Sequence, residues 1–374
     1  MRRISQIILA VLLFITIFIA YHYYSLYSAK RQILELSTIS NSANPSSLPM
    51  MHELGSHFIV GYDDFEEVTE LVRLGIIGGI FITNKNVEGK TTDQIRADIS
   101  LLQEIQKNHG LPPLFIATDQ EGGVVERLSP PLTSLPPLAS LIDQSNCTST
   151  PDSCFTETER TNVRQYAKTQ GSELKDLGVN LNFAPVVDVY QDTLVNNDKY
   201  THLESRALGS YPWLVAEIGT IYAQEMNALG VIPTLKHFPG LGSSTSDSHF
   251  SPSHLTGSLE TFANLDFLPF THITATTSAA IMLSHATLDA IDGATPASYS
   301  APVIKYLRDT LGFKELLITD DFSMYPIQFG PDGVGGASVR ALSAGVDLIL
   351  ISYNPDLYYQ AMLALLKAQD DAVE

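Results

Sequence analysis

Acidic, basic and imidazole side chains recur directly after short apolar runs in this sequence, and these residue types can perform acid–base or nucleophilic chemistry. They form five groups: Asp119-Gln120-Glu121, Asp188, Lys236-His237, His285 and Asp320-Asp321. An aspartate that follows a strand is often only a helix N-cap. Five groups at the same end of five apolar runs are harder to explain in that way. If the runs are parallel strands of a barrel, the five groups converge on one basin.

The apolar runs have the composition of parallel strands buried on both faces, because most are nearly unbroken stretches of Val, Ile, Leu or Phe. There are eight of them: His57–Gly61, Gly79–Thr83, Leu114–Thr118, Asn180–Val186, Val231–Leu235, Ala279–Ser284, Leu316–Thr319 and Asp347–Ser352. Amphipathic stretches typical of helices lie between them: Thr92–Lys107, Glu157–Leu177, Tyr211–Leu229, Ala301–Leu311 and Gly336–Ala344. This alternation predicts an α/β fold, a (β/α)8 TIM barrel. A doubly wound open sheet is the alternative, although no Gly-x-Gly-x-x-Gly follows the first strand to indicate a dinucleotide.

Six short motifs occur in order along the chain: Ala117–Arg127, Asn182–Val189, Ser205–Gly209, Lys236–Gly240, Asp247–His249 and Thr319–Met324. Together they resemble glycoside hydrolase family 3, specifically its single-domain β-N-acetylhexosaminidases that trim cell-wall muropeptides. The resemblance runs from about His57 to Tyr353, and six motifs in the family's order are a specific signal. It implies a retaining glycosidase that uses neither a cofactor nor a metal.

The resemblance implies that Asp320, the first carboxylate after the seventh strand, is the nucleophile. A retaining glycosidase needs such a carboxylate below the anomeric carbon and a proton donor beside the leaving oxygen. The end of a strand holds a carboxylate firmly enough for in-line attack. Asp321 is the weaker candidate, and we expect it to cap the next helix or brace the loop.

The resemblance places the acid/base on a histidine in the loop after the fifth strand, oriented by an aspartate two residues earlier. These residues are His249 and Asp247. A histidine titrates near neutrality, so it can protonate the leaving oxygen and then deprotonate water. A carboxylate on its other ring nitrogen selects the tautomer. The preceding small residues, 240–246, are typical of a loop that closes over substrate.

Five further residues are expected, by the same resemblance, to bind the terminal sugar: Asp119, Arg127, Arg206, Lys236 and His237. Alternatively, the cationic side chains among them could form ion pairs within the barrel. Three other polar residues are expected to be structural: Glu121, Asp188 and His285.

The chain departs from the family pattern at Leu241, where a second histidine is common. We expect this change to affect specificity and loop motion rather than catalysis. Few residues follow Tyr353. We therefore expect no second domain of the kind that many β-glucosidases of the family carry, which favours the hexosaminidase branch.

The N-terminus has the features of a membrane-targeting segment. Two arginines at positions 2 and 3 precede an apolar run, Ile7–Ala20, which tyrosines at positions 21, 23 and 24 extend. We expect residues 1–30 to form a signal anchor, with a cleaved signal peptide as the alternative. Residues 31–50 are predicted to be a flexible linker and residues 51–374 the glycosidase barrel. The body would then lie outside the cytoplasm, attached to the membrane.

Two cysteines, Cys147 and Cys154, lie seven residues apart in a polar loop. In an exported protein they could form a disulfide or remain as free thiols. No histidine or further cysteine stands beside them to indicate a metal site.

The formal net charge of −19 excludes nucleic acid as a partner, because phosphate binding requires clustered Lys and Arg. We expect a monomer whose partners are a carbohydrate with a terminal amino sugar and, through the N-terminal segment, the membrane. Three other functions stay open. They are an exo-β-glycosidase for another sugar such as a β-glucoside, a hydrolase whose metal is held by acidic and histidine residues of the basin, and an inactive wall-sugar-binding protein.

Overall fold

The computed structural model describes residues 2–40, 47–147, 154–191, 201–244 and 253–373. Its centre is a parallel sheet of eight strands: β1 (Phe58–Gly61), β2 (Gly79–Phe81), β3 (Phe115–Thr118), β4 (Leu181–Asn182), β5 (Ile232–Phe238), β6 (Ala280–Leu283), β7 (Leu317–Thr319) and β8 (Ile349–Ile351). The order across the sheet is β7-β6-β5-β4-β3-β2-β1-β8. A parallel bridge between Ile318 and Leu348 brings β7 to the segment that enters β8. The sheet is therefore a nearly closed barrel, as predicted, and not an open doubly wound sheet.

Fourteen α-helices are found in the described residues: α1 (Arg2–Ser40), α2 (Ser47–Gly55), α3 (Phe65–Leu74), α4 (Asn84–Val87), α5 (Thr92–Asn108), α6 (Glu157–Leu177), α7 (Leu203–Arg206), α8 (Pro212–Leu229), α9 (Leu259–Asn264), α10 (Phe267–Thr274), α11 (Ala301–Lys305), α12 (Tyr325–Gln328), α13 (Gly333–Ala344) and α14 (Leu357–Val373). A π-helical turn, Tyr306–Thr310, continues α11. The bounds of α6 agree with the prediction because its end signals are strong. Thr156 and Glu159 form a capping box at its start, and Gly178 adopts the left-handed conformation after its end.

All eight predicted strands are present, most with bounds within two residues of the prediction, but β4 and β5 differ by more. β4 ends at Asn182, so Asp188 follows it at a distance, while β5 continues three residues beyond Leu235. Lys236 and His237 therefore lie within β5 and not after it. The extension is held by backbone hydrogen bonds on both sides, because Lys236 accepts from Val187 and Phe238 accepts from Ser284.

Two apolar layers surround the sheet. One fills the space between strands and helices. The other fills the barrel interior, where Phe81 and Phe183 stack with ring centroids 5.6 Å apart. Together with Met282 and Leu350, these rings also form the floor of the cavity at the carboxyl ends of the strands. The inner core thus supports the candidate site directly.

Helix α1 differs from the prediction of a linker at residues 31–50. It continues to Ser40, and α2 occupies residues 47–55. Leu26, Ala29 and Ile33 are buried, and Ile33 is fully so. Their spacing of three and four residues places them on one helix face, and α1 packs with α14 and α2. Among the described residues this helix alone is long and apolar enough to cross a membrane.

Cys147 and Cys154 form a disulfide, with their Cα atoms 4.9 Å apart. This resolves the alternative that the sequence left open. The hydroxyl of Tyr211 donates a hydrogen bond to the carbonyl of Cys147, which connects the bridge to the start of α8.

Candidate active site

A cavity of about 390 Å³ opens at the carboxyl ends of the barrel strands. Six of the residues predicted from the sequence line it together: Asp119, Arg127, Arg206, Lys236, His237 and Asp320. Two more lie outside the described residues, the proposed acid/base His249 and its partner Asp247. The expected convergence on one basin is therefore confirmed for three of the five groups, those of Asp119, Lys236 and Asp320, whereas Asp188 and His285 do not line the cavity.

Asp320 and Asp321 follow β7 and face different surroundings. Asp320 is half-buried, lines the cavity, and has one carboxylate oxygen 2.8 Å from the Asp321 backbone nitrogen. Asp321 is 4% exposed, and its carboxylate accepts hydrogen bonds from Ser323, Ser352 and the Tyr353 backbone nitrogen. Asp321 thus joins the loops after β7 and β8, the bracing role that the sequence predicts for it.

Glu121 lies between two cationic side chains in the cavity wall. Its carboxylate accepts two hydrogen bonds from Arg206, at 2.8 and 2.7 Å, and pairs with Lys236 Nζ at 2.6 Å. Lys236 Nζ also donates to Asp119 at 2.7 Å. Burial alone would raise the pKa of Glu121, but the charges of Arg206 and Lys236 and their hydrogen bonds outweigh it and hold that pKa at about 2.

These ion pairs fix the positions of the two cations without removing them from the cavity. Two carboxylates and two cations balance each other's charge. Asp119 is the most exposed of the four, with 18% of its side chain accessible. The cluster therefore offers hydrogen-bonding groups that are already oriented, which is what recognition of sugar hydroxyls requires.

His237 is oriented by a fully buried carboxylate. Its Nδ1 lies 2.7 Å from Asp188 Oδ2, while Asp188 Oδ1 accepts from the backbone nitrogens of His237 and Leu241. Asp188 therefore positions both the imidazole and the first turn of the following loop. Leu241, where the family often has histidine, is buried and lines the cavity.

Asp266 lies beneath this turn and is 1% exposed. Burial, reinforced by the charge of Asp188, raises the pKa of Asp266 to about 7. Gly240 adopts φ 117° directly above it, and a Cβ there would stand 2.7 Å from the Cβ of Asp266. Only glycine fits this position, because its backbone is left-handed and the side chain of Asp266 occupies the space that a Cβ would need.

Arg127 and Tyr353 meet at the cavity rim. The guanidinium donates from Nη2 to the Tyr353 hydroxyl at 2.8 Å, and its carbon lies 5.9 Å from the centre of the ring. Its Nε is buried and has no hydrogen-bond partner among the described residues.

His285 belongs to the framework and does not line the cavity. It is 1% exposed, its Nδ1 lies 2.9 Å from the Ser298 hydroxyl, and its Nε2 lies 2.9 Å from the Asp321 carbonyl. Of the five groups that follow strands in the sequence, this one therefore supports the loop after β7. The structural role expected for it agrees with these contacts.

The sequence analysis missed several residues of the cavity wall, among them His202, Met324 and Tyr353. His202 precedes α7 with φ 48°, a left-handed conformation that is uncommon outside glycine. Nothing in its sequence neighbourhood signals this position. Within the described ranges, no three His, Cys, Asp or Glu side chains are grouped so as to hold a metal ion.

Comparison with known proteins places this chain in a family. Residues 35–373 match the family described as Glycosyl hydrolase family 3 N terminal domain. The β-hexosaminidase LpqI of Mycobacterium tuberculosis is 30% identical over 320 residues, which cover 82% of this chain and 75% of that protein. A β-hexosaminidase of Xylella fastidiosa is 32% identical over 271 residues, covering 72% of this chain and 76% of the relative.

Solved structures agree. A glycoside hydrolase family 3 β-N-acetylglucosaminidase from Paenibacillus is similar with a TM-score of 0.76 and 30% identity, over 86% of this chain and 58% of that one. A family 3 glycosyl hydrolase from Mycobacterium smegmatis has a TM-score of 0.72 and 29% identity, over 87% and 92%. This chain belongs to glycosyl hydrolase family 3 and is a glycosidase.

Proposed function

We propose that this protein is a retaining β-N-acetylhexosaminidase that removes terminal β-linked N-acetylglucosamine from glycans such as peptidoglycan fragments. The observation that carries the proposal is the position of Asp320 beside Asp119, Arg206 and Lys236 in one cavity. The names of the relatives, β-hexosaminidase and β-N-acetylglucosaminidase, support the choice of sugar.

In the proposed reaction, Asp320 attacks the anomeric carbon while His249, oriented by Asp247, protonates the leaving oxygen. The glycosidic bond breaks and a covalent ester of the sugar with Asp320 forms. His249 then deprotonates a water molecule that attacks the anomeric carbon from the opposite side. The ester breaks, and the sugar leaves with its original configuration.

The surroundings of Asp320 suit this role. Its carboxylate is tied on one side by the Asp321 backbone nitrogen, and Asp321 is itself held by the loops after β7 and β8. A nucleophile needs this kind of support because small displacements from the attack geometry cost rate. The ion-paired cluster of Glu121, Arg206 and Lys236, with Asp119 and His237, would hold the hydroxyls of the terminal sugar.

We further propose that the N-terminal segment keeps the enzyme on the outer side of the membrane. Helix α1 is long and apolar enough to span a membrane. Its exposed side chains include Val11, Leu12 and Leu13, each more than half accessible. In that location, cell-wall glycan is the abundant source of β-linked N-acetylglucosamine.

The test is hydrolysis of a panel of chromogenic β-glycosides by the full chain in detergent micelles. We expect the N-acetylglucosaminide to be cleaved in preference to the glucoside, and the first-formed sugar to be the β-anomer by NMR. Asp320→Ala and His249→Ala should abolish cleavage, while Asp309→Ala and His109→Ala, which change residues outside the cavity, should not. An α-anomer as first product would contradict the mechanism, and preference for the glucoside would contradict the assigned sugar.

A further inference from the structure

Helix α1 continues past the barrel on one particular side. It contacts α2, which leads into the amino end of β1, and α14, which follows the carboxyl end of β8. Lys30 pairs with Glu67, in the first turn of α3, at 2.5 Å, and with Asp356, just before α14, at 3.6 Å. Both partners lie where the chain has just left the carboxyl end of a strand, of β1 and of β8 respectively.

Earlier residues of α1 reach still further toward that side. Ser25 accepts a hydrogen bond from Gln360 in the first turn of α14. The ring of His22 stands 6.3 Å from that of Phe329, which lies in the loop after β7. The helix therefore leaves the body at the face that carries the active-site cavity.

The length of α1 fixes how close this face comes to a membrane. From His22 back to Arg2 there are twenty residues, which at 1.5 Å each give roughly 30 Å of helix. This is about the thickness of the hydrocarbon core of a bilayer. The exposed tyrosines at positions 21, 23 and 24 lie at its boundary, where aromatic side chains favour the head-group region. The apolar run of α1 ends at Ala20, two residues before His22, which contacts Phe329, so the bilayer lies close to the face from which α1 emerges.

The same face carries the exposed apolar side chains of the body. Outside α1, five large apolar residues of the described chain are well exposed: Leu101, Val124, Tyr325, Phe329 and Tyr353. Leu101 lies on the flank, in the middle of α5. The other four lie in the segments after β3, β7 and β8. Val124 and Tyr353 line the cavity, and Tyr325, next to the lining residue Met324, packs against Phe329 with ring centroids 4.7 Å apart. Four exposed apolar side chains around one opening are typical of an interaction surface.

We propose that the cavity rim, defined as Val124, Tyr325, Phe329 and Tyr353, rests on the lipid head-group layer, so that the active site opens toward the membrane. The enzyme then acts on sugar ends that lie at the bilayer surface. This inference rests on the membrane anchoring proposed above, but it does not depend on which sugar is cleaved. Tyrosine and phenylalanine favour contact with the lipid head-group layer, because amphipathic and aromatic rings partition into the interface of a bilayer.

Quenching of tryptophan fluorescence by lipids brominated near the head group tests the proposal. The full chain is placed in phosphatidylcholine vesicles after Trp213→Phe has removed its single tryptophan. In that background Phe329→Trp reports on the rim, and Leu101→Trp is the matched control, since both positions are about half exposed. We expect several-fold stronger quenching and a blue shift for Phe329→Trp alone. Tyr325→Trp gives the same readout if the first variant fails to fold.

Flotation and hydrolysis on the same samples separate the possible failures. If the protein floats with the vesicles and neither rim tryptophan is quenched more than the control, the proposed orientation is wrong although anchoring holds. If the protein does not float, both anchoring and orientation are wrong. Cleavage of a soluble chromogenic glycoside, measured in parallel, scores the proposed activity independently of either result.

Discussion

Glu121 shows how a structural residue can determine a binding surface. The sequence analysis weighed sugar binding against ion pairing for Arg206 and Lys236, and the structure shows that both are paired and that both line the cavity. The two roles are compatible, because an ion pair at a cavity wall leaves donor hydrogens pointing inward. The carboxylate keeps the cations in place and lowers the cost of burying them.

Glu121→Gln should therefore weaken the fold in a pH-dependent manner. Removing the charge leaves two buried cations with less compensation, and we expect a loss of about 3 kcal/mol near neutral pH. The pKa of Glu121 is lowered from 4.5 to about 2 in the folded state. Its stabilisation is thus present above pH 4.5 and is lost as the pH falls toward 2.

Chemical denaturation of the wild type and Glu121→Gln between pH 7 and pH 2 measures this difference. The two curves should converge at the acid end. Glu88→Gln, on the surface after α4, is the matched control and should leave stability unchanged throughout. A difference between the wild type and Glu121→Gln that stayed constant over the whole range would mean that the charge of Glu121 is not responsible.

Asp320 and Asp321 should respond in opposite ways to the same substitution. We expect Asp320→Asn to reduce kcat by at least about 10³-fold with little change in stability, as for other nucleophiles that act as a unit with an acid/base. Asp321→Asn should cost roughly 3 kcal/mol of stability, because an amide in place of the buried carboxylate cannot accept all of the hydrogen bonds that Asp321 accepts.

Steady-state kinetics and thermal unfolding of both variants give this comparison directly. Full activity in Asp320→Asn would exclude it as the nucleophile. An Asp321→Asn protein of unchanged stability, but without activity, would show that we had exchanged the roles of the two aspartates.

Among the secondary-structure elements, the sequence was most informative where one physical cause dominated. Buried parallel strands need continuous apolar runs, so all eight were found, and α6 was bounded correctly by its capping residues. The extension of β5 was not predicted, because Lys236 and His237 are polar and do not continue the apolar run. The carboxylates that pair with them inside the protein, Glu121 and Asp188, are distant in sequence. The location of the cavity could be predicted, whereas the roles of Tyr353 and His202 depend on loop conformations without a local pattern.

Helix α1 was the least predictable element. Its packing depends on α14, more than 300 residues later in the chain. Only three of its apolar side chains, Leu26, Ala29 and Ile33, are buried in that contact region. We expect Ile33→Ala to cost about 2–5 kcal/mol of stability, since Ile33 is fully buried. Leu36→Ala, on the same helix but 40% exposed, should cost far less.

Urea denaturation in detergent, monitored by circular dichroism, compares the two variants. Equal and small losses would indicate that this part of α1 is not packed against the body. Such a result would support the flexible linker that the composition of residues 31–50 predicts.

At the scale of the whole molecule, the proposed anchoring puts the membrane-spanning helix and the active-site cavity on one face, and this should determine which substrates are accessible. We expect the full chain in vesicles to cleave an acylated N-acetylglucosaminide in its own membrane roughly 10²-fold faster than the same glycoside carried by separate vesicles. Confinement to one surface raises the effective concentration, and a cavity turned toward the bilayer can use it.

Product release from mixed and from separate vesicle populations provides the measurement, with a soluble chromogenic glycoside as the internal standard. Equal rates in the two arrangements would show that the enzyme gains nothing from a substrate in its own membrane.

The closure of the barrel also has a consequence for biosynthesis. The Nδ1 of His57, before β1, donates a hydrogen bond to the carbonyl of Asp347, before β8, across 290 residues of chain, and α1 likewise packs on α14. We call the contact of α1 and β1 with β8 and α14 the seam. During translation α1 and β1 are made first, and nearly the entire barrel emerges from the ribosome before β8 and α14 can pair with them. In the proposed anchoring, the apolar start of α1 lies in the lipid during that interval, so the membrane would hold the first element until α14 has been made. Assembly would end with the seam, when the chain's two distant regions are joined beside the bilayer.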